Sequence, residues 1–352
     1  MTLQQTEGTS GYSHPNSPVR HSYPLAIQQG DFSTAWSLLM RTLPYMGARF
    51  AALLATSFAT GLFWVVGFGG AAFLAARVHG FAGLLWFIAC AISFRWAWRT
   101  AIRYFLFLLK AGHIAVLTEL VTHGEVNHGN EHMFEYGKRV VTERFGEIHG
   151  LLALEWVIAS IVSAFHRTLD WIAGLLPIPG ARDIVGLVNT VVRAATSYVD
   201  ETLLSYSLAR GDSDHFRSAR DGLIYYAQNS RDVLKTSIWI VVMDKLSTFI
   251  MWFAMVIPAL GIGSLFPASI RGFAILFCAG MAFMLAWSIR SAVLEPLCLI
   301  LVMIKFHTCV AQQPINLEWD DKLSQISDQF VALKNKVTQP GAPAPRPGLV
   351  VP

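Results

Sequence analysis

Apolar and polar positions divide the chain into two long apolar stretches with a more polar middle between them. Neither the stretch from Phe50 to Ala76 nor the one from Leu246 to Ile270 contains Asp, Glu, Lys or Arg. Each is longer than the roughly 20 residues that an α-helix needs to cross the hydrocarbon core of a bilayer. The pattern therefore predicts an integral membrane protein of the all-α class.

Each apolar stretch predicts the first half of a transmembrane hairpin. In the first hairpin, a span over residues 46–76 turns within 68–80, and a second span begins near Phe81 and is apolar to Phe94. Glycines in the first span allow its helix to contact the second helix of the hairpin closely.

The second hairpin is predicted from residues 236–305. Its first span runs over 236–263, the turn holds Pro267 and Arg271, and the second span starts at Gly272. This last helix continues to residue 304, and Pro296 predicts a bend in it because proline disrupts an α-helix. The sequence thus indicates four clear transmembrane helices in two hairpins.

The middle of the chain leaves open whether two further spans exist, which would give six. Residues 151–164 and 171–179 are apolar, but each piece is too short to cross. One interpretation is a re-entrant hairpin over 151–180 that turns at Pro177-Ile178-Pro179-Gly180; the other is two tilted spans, with 184–208 as the second. Interfacial or re-entrant helices are the favoured interpretation, because irregular backbone at membrane depth is tolerated where protein buries it.

The polarity pattern also predicts the arrangement of the whole chain. Asp31 or Ser33 caps a short interfacial helix at 31–41 that places Phe32, Trp36, Leu39 and Met40 on one face. The predicted regions are a disordered tail at 1–30, the interfacial helix with hairpin 1 at 31–121, a cytoplasmic or interfacial helical region at 122–235, hairpin 2 at 236–305, a cytoplasmic helix at 306–337 and a Pro-rich disordered tail at 338–352.

Composition agrees with a lipid environment, and the placement of charge predicts the orientation. Apolar residues make up 54% of the chain and charged residues 14%, with a formal net charge of +4. Basic residues concentrate outside the short hairpin turns, which hold only Arg77 and Arg271. The positive-inside rule then places both termini and the middle in the cytoplasm. The Ala-rich spans favour the plasma membrane of a bacterium, and the four cysteines read as reduced packing residues.

Two groups of residues suggest binding at the membrane surface or of a metal. Arg95, Arg99 and Arg103 recur every four residues and form a basic ridge where a helix leaves the membrane. His128, Glu131 and His132 match the H-x-x-E-H pattern of inverted zinc peptidases. The Gly-Asn pair inside that pattern argues against a helix there, so these three are only weak metal candidates, and no cofactor is expected.

Charged residues inside the second hairpin are the strongest functional candidates, because a charge at membrane depth is costly unless it is paired or hydrated. Asp244 and Lys245 lie in its first span, and Arg290 and Glu295 in its second. Glu295 is expected to pair with another helix, for instance with Arg99 or Lys245. Three tryptophans complete the candidate transport path, either as interfacial anchors or as a cage for an organic cation: Trp239, Trp252 and Trp287.

Residues 198–303 contain a series of short motifs: Ser218-Ala219-Arg220, Asn229 eleven residues after the serine, Asp244-Lys245 near the start of a span, Phe249 after them, and Glu295 late in the next span. In these motifs the segment resembles the C-terminal part of choline transporter-like proteins. The distance from Asn229 to Asp244 is longer here than in that family. The resemblance implies choline or a related organic cation as cargo, but it does not fix binding residues.

The sequence therefore predicts a multi-span transporter or channel-type permease for a small solute, which acts as a homo-oligomer because four to six spans are few for one carrier. The alternative is a non-catalytic membrane scaffold whose cytoplasmic helices bind a protein partner or shape the bilayer. No enzyme activity is expected, since no nucleophile–base set or phosphate-binding loop occurs, and no nucleic-acid partner is expected.

Overall fold

The computed structural model describes residues 23–27, 31–98, 102–126, 131–145, 148–168, 185–212 and 214–338. Within these ranges the chain is α-helical apart from its connecting segments, and no strand occurs there. Five of the described helices are long and apolar enough to cross a membrane. The all-α class, with helices of membrane-spanning length, is thus confirmed. The predicted tails lie almost entirely outside the described residues.

The helices follow one another with short connections. In chain order they are α1 (Phe32–Arg41), α2 (Leu43–Arg77), α3 (Gly80–Ala97), α4 (Arg103–Thr122), α5 (Met133–Phe145), α6 (Ile148–His166), α7 (Val185–Arg210), α8 (His215–Gln228), α9 (Ser230–Ser264), α10 (Arg271–Ile289), a π-helical segment (Arg290–Leu294), α11 (Glu295–Gln312), α12 (Glu318–Ile326) and α13 (Asp328–Thr338).

Helices α2 and α3 form a tight antiparallel pair, hairpin 1. A methyl group at Gly83 would lie 2.5 Å from the carbonyl oxygen of Ala71, so the two backbones touch at this point. Farther along the pair, Trp64 packs against Phe87 and Phe94 of α3. Small residues where helices cross and aromatic rings elsewhere are typical of helix packing in lipid.

Helices α9 and α10 form hairpin 2 by the same means. A methyl group at Gly263 would lie 2.6 Å from the Cα of Ile275, next to the turn. Val256, Ala259 and Ala282 form a small buried cluster halfway down the pair. The two hairpins also touch, since α2 contacts α10 and the π-helical segment.

Large exposed apolar side chains concentrate on the two hairpins. Nearly all of those in the described part of the chain lie between Phe58 and Trp98 or between Trp239 and Trp287. Only 6% of the most apolar window of α2, α3 or α9 is buried inside the protein. These faces need a covering of lipid or of further protein, because water does not accommodate apolar surface of this extent.

The other helices surround one large apolar core and form a helical body at one end of the hairpins. The core unites α1, the start of α2, α4 to α8, the first turns of α9, and α11 to α13. Among its largest fully buried side chains are Tyr206, Phe306 and Phe330. The body thus includes segments that are far apart in sequence, from both halves of the chain.

Helix α4 shows that an apolar helix of sufficient length can be a core helix. Its window at 105–122 is apolar enough to span a membrane, but 61% of it is buried inside the protein. Val116, Leu117 and Val121 are fully buried. Its apolar side chains pack against α5 and α7, so most of this window belongs to the protein core.

Helix α6 is likewise a helix of the body in its described part. Ile158, Ile161 and Phe165 are buried and belong to the main core. The helix packs against α7 and α8. Residues 169–184 lie outside the described residues, so the predicted turn at Pro177–Gly180 is not tested.

Helix α1 is amphipathic in the predicted manner, with one difference. The Asp31 carboxylate accepts a hydrogen bond of 2.9 Å from the amide of Thr34, which confirms Asp31 as the N-cap. Phe32 and Trp36 are exposed and stack with ring centroids 6.3 Å apart. Leu39, which was placed on the same face, is fully buried.

The last long helix continues from the hairpin into the body, as expected. Residues 271–311 form one apolar run that the π-helical segment at Arg290–Leu294 interrupts just before Pro296. A π-helical turn changes the angular register of the helix that follows it. The residues on either side of it, Arg290 and Glu295, therefore face different neighbours, as described next.

Candidate functional site: a charged neck below the hairpins

A cluster of ionisable side chains lies where the two hairpins enter the helical body. We call it the neck cluster; it consists of Arg49 of α2, Lys110 of α4, Glu201 of α7, Asp244 of α9, Arg290 of the π-helical segment and Glu295 of α11. Six elements thus contribute to two neighbouring sets of ion pairs. Membrane-embedded or buried charges of this kind are functional candidates by default.

One part of the neck cluster is a chain of four alternating charges. Lys110 Nζ lies 2.5 Å from Glu201 Oε1 and 3.2 Å from Glu295 Oε1, and it therefore bridges the two carboxylates. Arg49 Nη2 lies 3.5 Å from the same Glu295 oxygen. The Glu201 side chain is only 4% exposed, so water cannot stabilise its negative charge. The positive charge of Lys110 does so instead.

The other part is a single buried ion pair between α9 and the π-helical segment that follows α10. Arg290 Nη2 donates a hydrogen bond of 2.7 Å to Asp244 Oδ2. The Asp244 side chain is only 2% exposed. The Arg290 guanidinium also lies over the Trp287 ring, 5.6 Å from its centroid. This pair fixes the base of α9 against the segment that leads into α11.

Formal charge in the neck cluster is balanced, with three basic and three acidic side chains. Two buried carboxylate oxygens nevertheless have no hydrogen-bond partner among the described residues: Oε2 of Glu201 and Oδ1 of Asp244. Unsatisfied buried oxygens are uncommon in native proteins, so these two atoms mark the neck cluster as a candidate site.

Uncharged polar groups surround the cluster on the side of the body. His113 Nε2 lies 3.1 Å from Thr42 Oγ1, and its ring stacks on Tyr45 with centroids 5.1 Å apart. Burial raises the pKa of Tyr198 well above its ordinary value, and the nearby Cys298 and Asp244 raise it further. Burial also raises the pKa of Glu201, against the opposing charge of Lys110.

The charged residues predicted from the sequence lie in different places. Asp244, Arg290 and Glu295 belong to the neck cluster, whereas Lys245 is exposed on the outside of α9. Glu295 does pair with other helices, but its partners are Arg49 and Lys110. Arg99, the other expected partner, lies outside the described residues.

The three candidate tryptophans do not occupy one place. Trp239 and Trp287 are 46% and 51% exposed, near the base of hairpin 2. That is the placement of interfacial anchors. Trp252 instead packs on the small buried cluster inside hairpin 2, where its indole Nε1 is buried and has no hydrogen-bond partner in the described part of the chain.

The basic ridge and the metal motif are only partly described. Arg95 is exposed at the end of α3, while Arg99 and the side chain of Arg103 lie outside the described residues. The same holds for His128. Glu131 forms an ion pair of 2.6 Å with Arg139, and His132 is exposed. Within the described ranges, no group of three His, Cys, Asp or Glu side chains is placed to hold a metal ion.

A buried serine and histidine have the spacing of a catalytic pair but not its access. Ser205 Oγ lies 3.0 Å from His307 Nε2, and His307 Nδ1 lies 2.9 Å from the Tyr23 hydroxyl. A second hydroxyl, Thr118 Oγ1, lies 2.8 Å from Ser205 Oγ. Ser205 and His307 are both fully buried, so no substrate reaches the hydroxyl. This chain of hydrogen bonds links α4, α7 and α11 to the N-terminal segment.

A second buried histidine should make the stability of the body depend on pH. His166 Nδ1 lies 2.9 Å from Thr196 Oγ1, and its Nε2 lies 2.5 Å from the Tyr226 hydroxyl. Burial lowers the pKa of His166 to about 4. Below the unfolded-state pKa of about 6.5 the unfolded chain binds a proton that the folded body does not, so stability falls until the folded-state value is passed.

We therefore expect His166 to remove about 3 kcal/mol of stability between roughly pH 6.5 and pH 4. Denaturant unfolding followed by circular dichroism at several pH values measures it. The decline should be shallower by that amount in His166→Gln, whereas the exposed-site control His132→Gln should follow the wild type. Parallel declines in wild type and His166→Gln would show that the imidazole is not held neutral.

Sequence reasoning missed half of the neck cluster. Arg49 precedes the first charge-free stretch by one residue, and Lys110 is an isolated charge within an apolar helix. Glu201 lies in a helix whose polar residues gave no sign of burial. The one available signal was Lys110, because a single charge in an apolar helix implies a buried partner.

Comparison with protein-family models, with curated proteins and with solved structures found no match for this chain.

Proposed function

We propose that this protein is a non-catalytic membrane scaffold: two hairpins in the bilayer hold the helical body against one membrane face, where the body binds a protein partner. The observation that carries the proposal is the separation of surfaces. Exposed large apolar side chains concentrate on the hairpins, and the ionisable residues between hairpins and body are closed into ion pairs.

Dimensions support four spans rather than five. The segment of α9 from Met243 to Ser264 is about 32 Å long at 1.5 Å per residue, close to the roughly 30 Å of a hydrocarbon core. Helix α4 is buried in the body and needs no lipid around it. An even number of spans puts both termini on the side of the body. The basic residues outside the hairpin turns favour the cytoplasmic face of a bacterial plasma membrane.

The body offers a surface for a partner around Arg217 of α8 and Lys322 of α12, both of which are exposed. The rest of α8 is almost entirely buried, from Ser218 to Ala227. Two ion pairs, from Arg220 and Lys334 to Asp320, hold α12 and α13 near α8 and keep this surface rigid. A rigid helical surface fixed to a membrane can bring a soluble partner to that membrane.

A second candidate is a permease that acts as an oligomer, and it is favoured by the partnerless atoms of hairpin 2. Among the described residues, Asp244 Oδ1 and Trp252 Nε1 are buried with no hydrogen-bond partner, as polar groups along a solute path would be. The resemblance to choline transporter-like proteins supports an organic cation as its cargo.

The test combines flux with cross-linking on the full-length protein. In liposomes we expect no uptake of choline above that of protein-free vesicles. In cells, a photoreactive residue in place of Arg217 or Lys322 on the body should form discrete, saturable cross-links to a protein. One in place of the lipid-facing Phe253 should not.

Asp244→Asn separates the two functions, with the neighbouring exposed Lys245→Gln as its matched control. The scaffold predicts that cross-links at Arg217 survive in both variants. Choline flux that Asp244→Asn abolishes and Lys245→Gln preserves would establish the permease instead. An absence of discrete cross-links from either body position would also count against the scaffold.

A further inference from the structure

A groove on the outside of the protein lies between α9 and α11, where hairpin 2 meets the body. Its volume is about 410 Å³. The residues that line it are Asp232, Lys235, Thr236, Trp239, Ile240 and Lys305. It thus combines two basic side chains, one acidic side chain and one tryptophan.

The groove continues the lipid-facing stripe of α9. Lys235, Trp239 and Met243 follow at intervals of four residues and therefore lie on one helix face. Lys235 is exposed, Trp239 is 46% exposed and Met243 is 55% exposed. The stripe changes from charged to apolar at Trp239, and tryptophan prefers the headgroup level of a bilayer. Lys235 then lies about 6 Å farther from the hydrocarbon, at the depth of lipid phosphates.

The two lysines are free to bind an anion. Neither Lys235 nor Lys305 forms an ion pair with any residue in the described part of the chain, whereas Lys110 in the neck cluster bridges two carboxylates. Asp232 stands at the end of the groove away from the membrane, and its backbone carbonyl accepts a hydrogen bond of 3.0 Å from Thr236. The formal charge of the lining is therefore +1, which matches one singly charged anion.

We propose that this groove binds the headgroup of an anionic phospholipid from the leaflet beside the helical body. The phosphodiester lies between the ammonium groups of Lys235 and Lys305, and the Trp239 ring packs against the glycerol and the first acyl carbons. The Asp232 carboxylate accepts a hydrogen bond from a headgroup hydroxyl. A phosphate with a hydroxylated headgroup, as in phosphatidylglycerol, satisfies all three contacts.

The test measures lipid retention by the purified full-length protein. Nanodiscs with equal amounts of phosphatidylglycerol and phosphatidylcholine are dissolved in mild detergent, and the lipids that remain bound are counted by native mass spectrometry. We expect phosphatidylglycerol to be enriched. Each of Lys235→Gln and Lys305→Gln should weaken its retention about five-fold. The matched control is Lys245→Gln, an exposed lysine on another face of the same helix, and it should leave retention unchanged.

Further arms of the experiment identify the ligand. Millimolar inorganic phosphate should not displace the lipid, because only the lipid adds the tryptophan and acyl contacts. Displacement by phosphate, equal retention of both lipids, or an equal loss in Lys245→Gln would each overturn the proposal. The inference rests on the placement of hairpin 2 in the bilayer. Since it is tested without any protein partner, it can fail while the scaffold stands, and the reverse also holds.

Discussion

Replacing Lys110 by methionine should destabilise the protein by about 3–5 kcal/mol, because it leaves buried carboxylates without their shared cation. Lys110 Nζ is 2.5 Å from Glu201 and 3.2 Å from Glu295. Glu295 retains Arg49, but Glu201 loses its ion-pair partner and keeps only the weaker, more distant influence of Arg49. Methionine keeps most of the aliphatic side chain, so the loss reports on charge more than on packing.

The measurement is denaturant unfolding of the purified protein in detergent, followed by circular dichroism. The matched control is Lys245→Met, which removes an exposed lysine. Adding Glu201→Gln to Lys110→Met should recover part of the lost stability, since the double variant no longer buries an uncompensated carboxylate. A Lys110→Met variant within about 0.5 kcal/mol of the control would show that the neck cluster contributes little to folding.

The pH dependence of that variant should identify the group responsible. Burial raises the pKa of Glu201, and removal of Lys110 raises it further. When the folded-state pKa of an acid lies above its unfolded value, the folded state binds the proton more tightly, so lower pH favours folding. The deficit of Lys110→Met relative to wild type should therefore shrink as the pH falls from about 8 towards about 5.

The long apolar helices could be predicted from the sequence because the signal is local. A stretch such as Leu246–Ile270 indicates an apolar environment by itself, since it contains no charged residue that requires a partner. The same is true of Asp31, whose capping role depends on residues one helical turn away. Both features were found where they were expected.

The body could not be predicted in this way, because composition does not distinguish an apolar helix in lipid from one in a protein core. Helix α4 passes every test of length and hydropathy for a span, yet it is buried against α5 and α7. Its polar residues Lys110 and His113 are the only signal of burial in the protein, because each requires a polar partner there. Physical reasoning predicts that Lys110 and His113 have partners, but it does not predict which residues these are.

The ion pairs of the neck cluster could not be predicted from the sequence, because they join positions that are far apart in the chain. Arg49 pairs with Glu295, which lies in the last third of the chain, and no local pattern announces that contact. Asp244 and Arg290 were each recognised as unusual, but no local pattern joins them. In the structure Arg290 is the first residue of the π-helical segment and donates a hydrogen bond to Asp244 of α9.

The ion pair between Asp244 and Arg290 should show strong coupling in a double-mutant cycle, and its two single substitutions should have unequal costs. Arg290→Met should cost about 3–5 kcal/mol, because it strands a carboxylate whose side chain is only 2% exposed. Asp244→Asn should cost less, since Arg290 is 14% exposed and retains its contact with the Trp287 ring. The asymmetry follows from burial: the more deeply buried partner depends more on the other.

In the double variant Asp244→Asn/Arg290→Met neither charge remains, and its cost should fall below the sum of the single costs by about 1–3 kcal/mol. The same unfolding assay measures all four proteins. Because the pair joins the base of α9 to the segment before α11, a protease pulse should also cut Arg290→Met faster near this junction than the Lys245→Met control. Additive costs would mean that the two side chains do not stabilise each other, and that the neck is held by the Lys110 bridge and by packing alone.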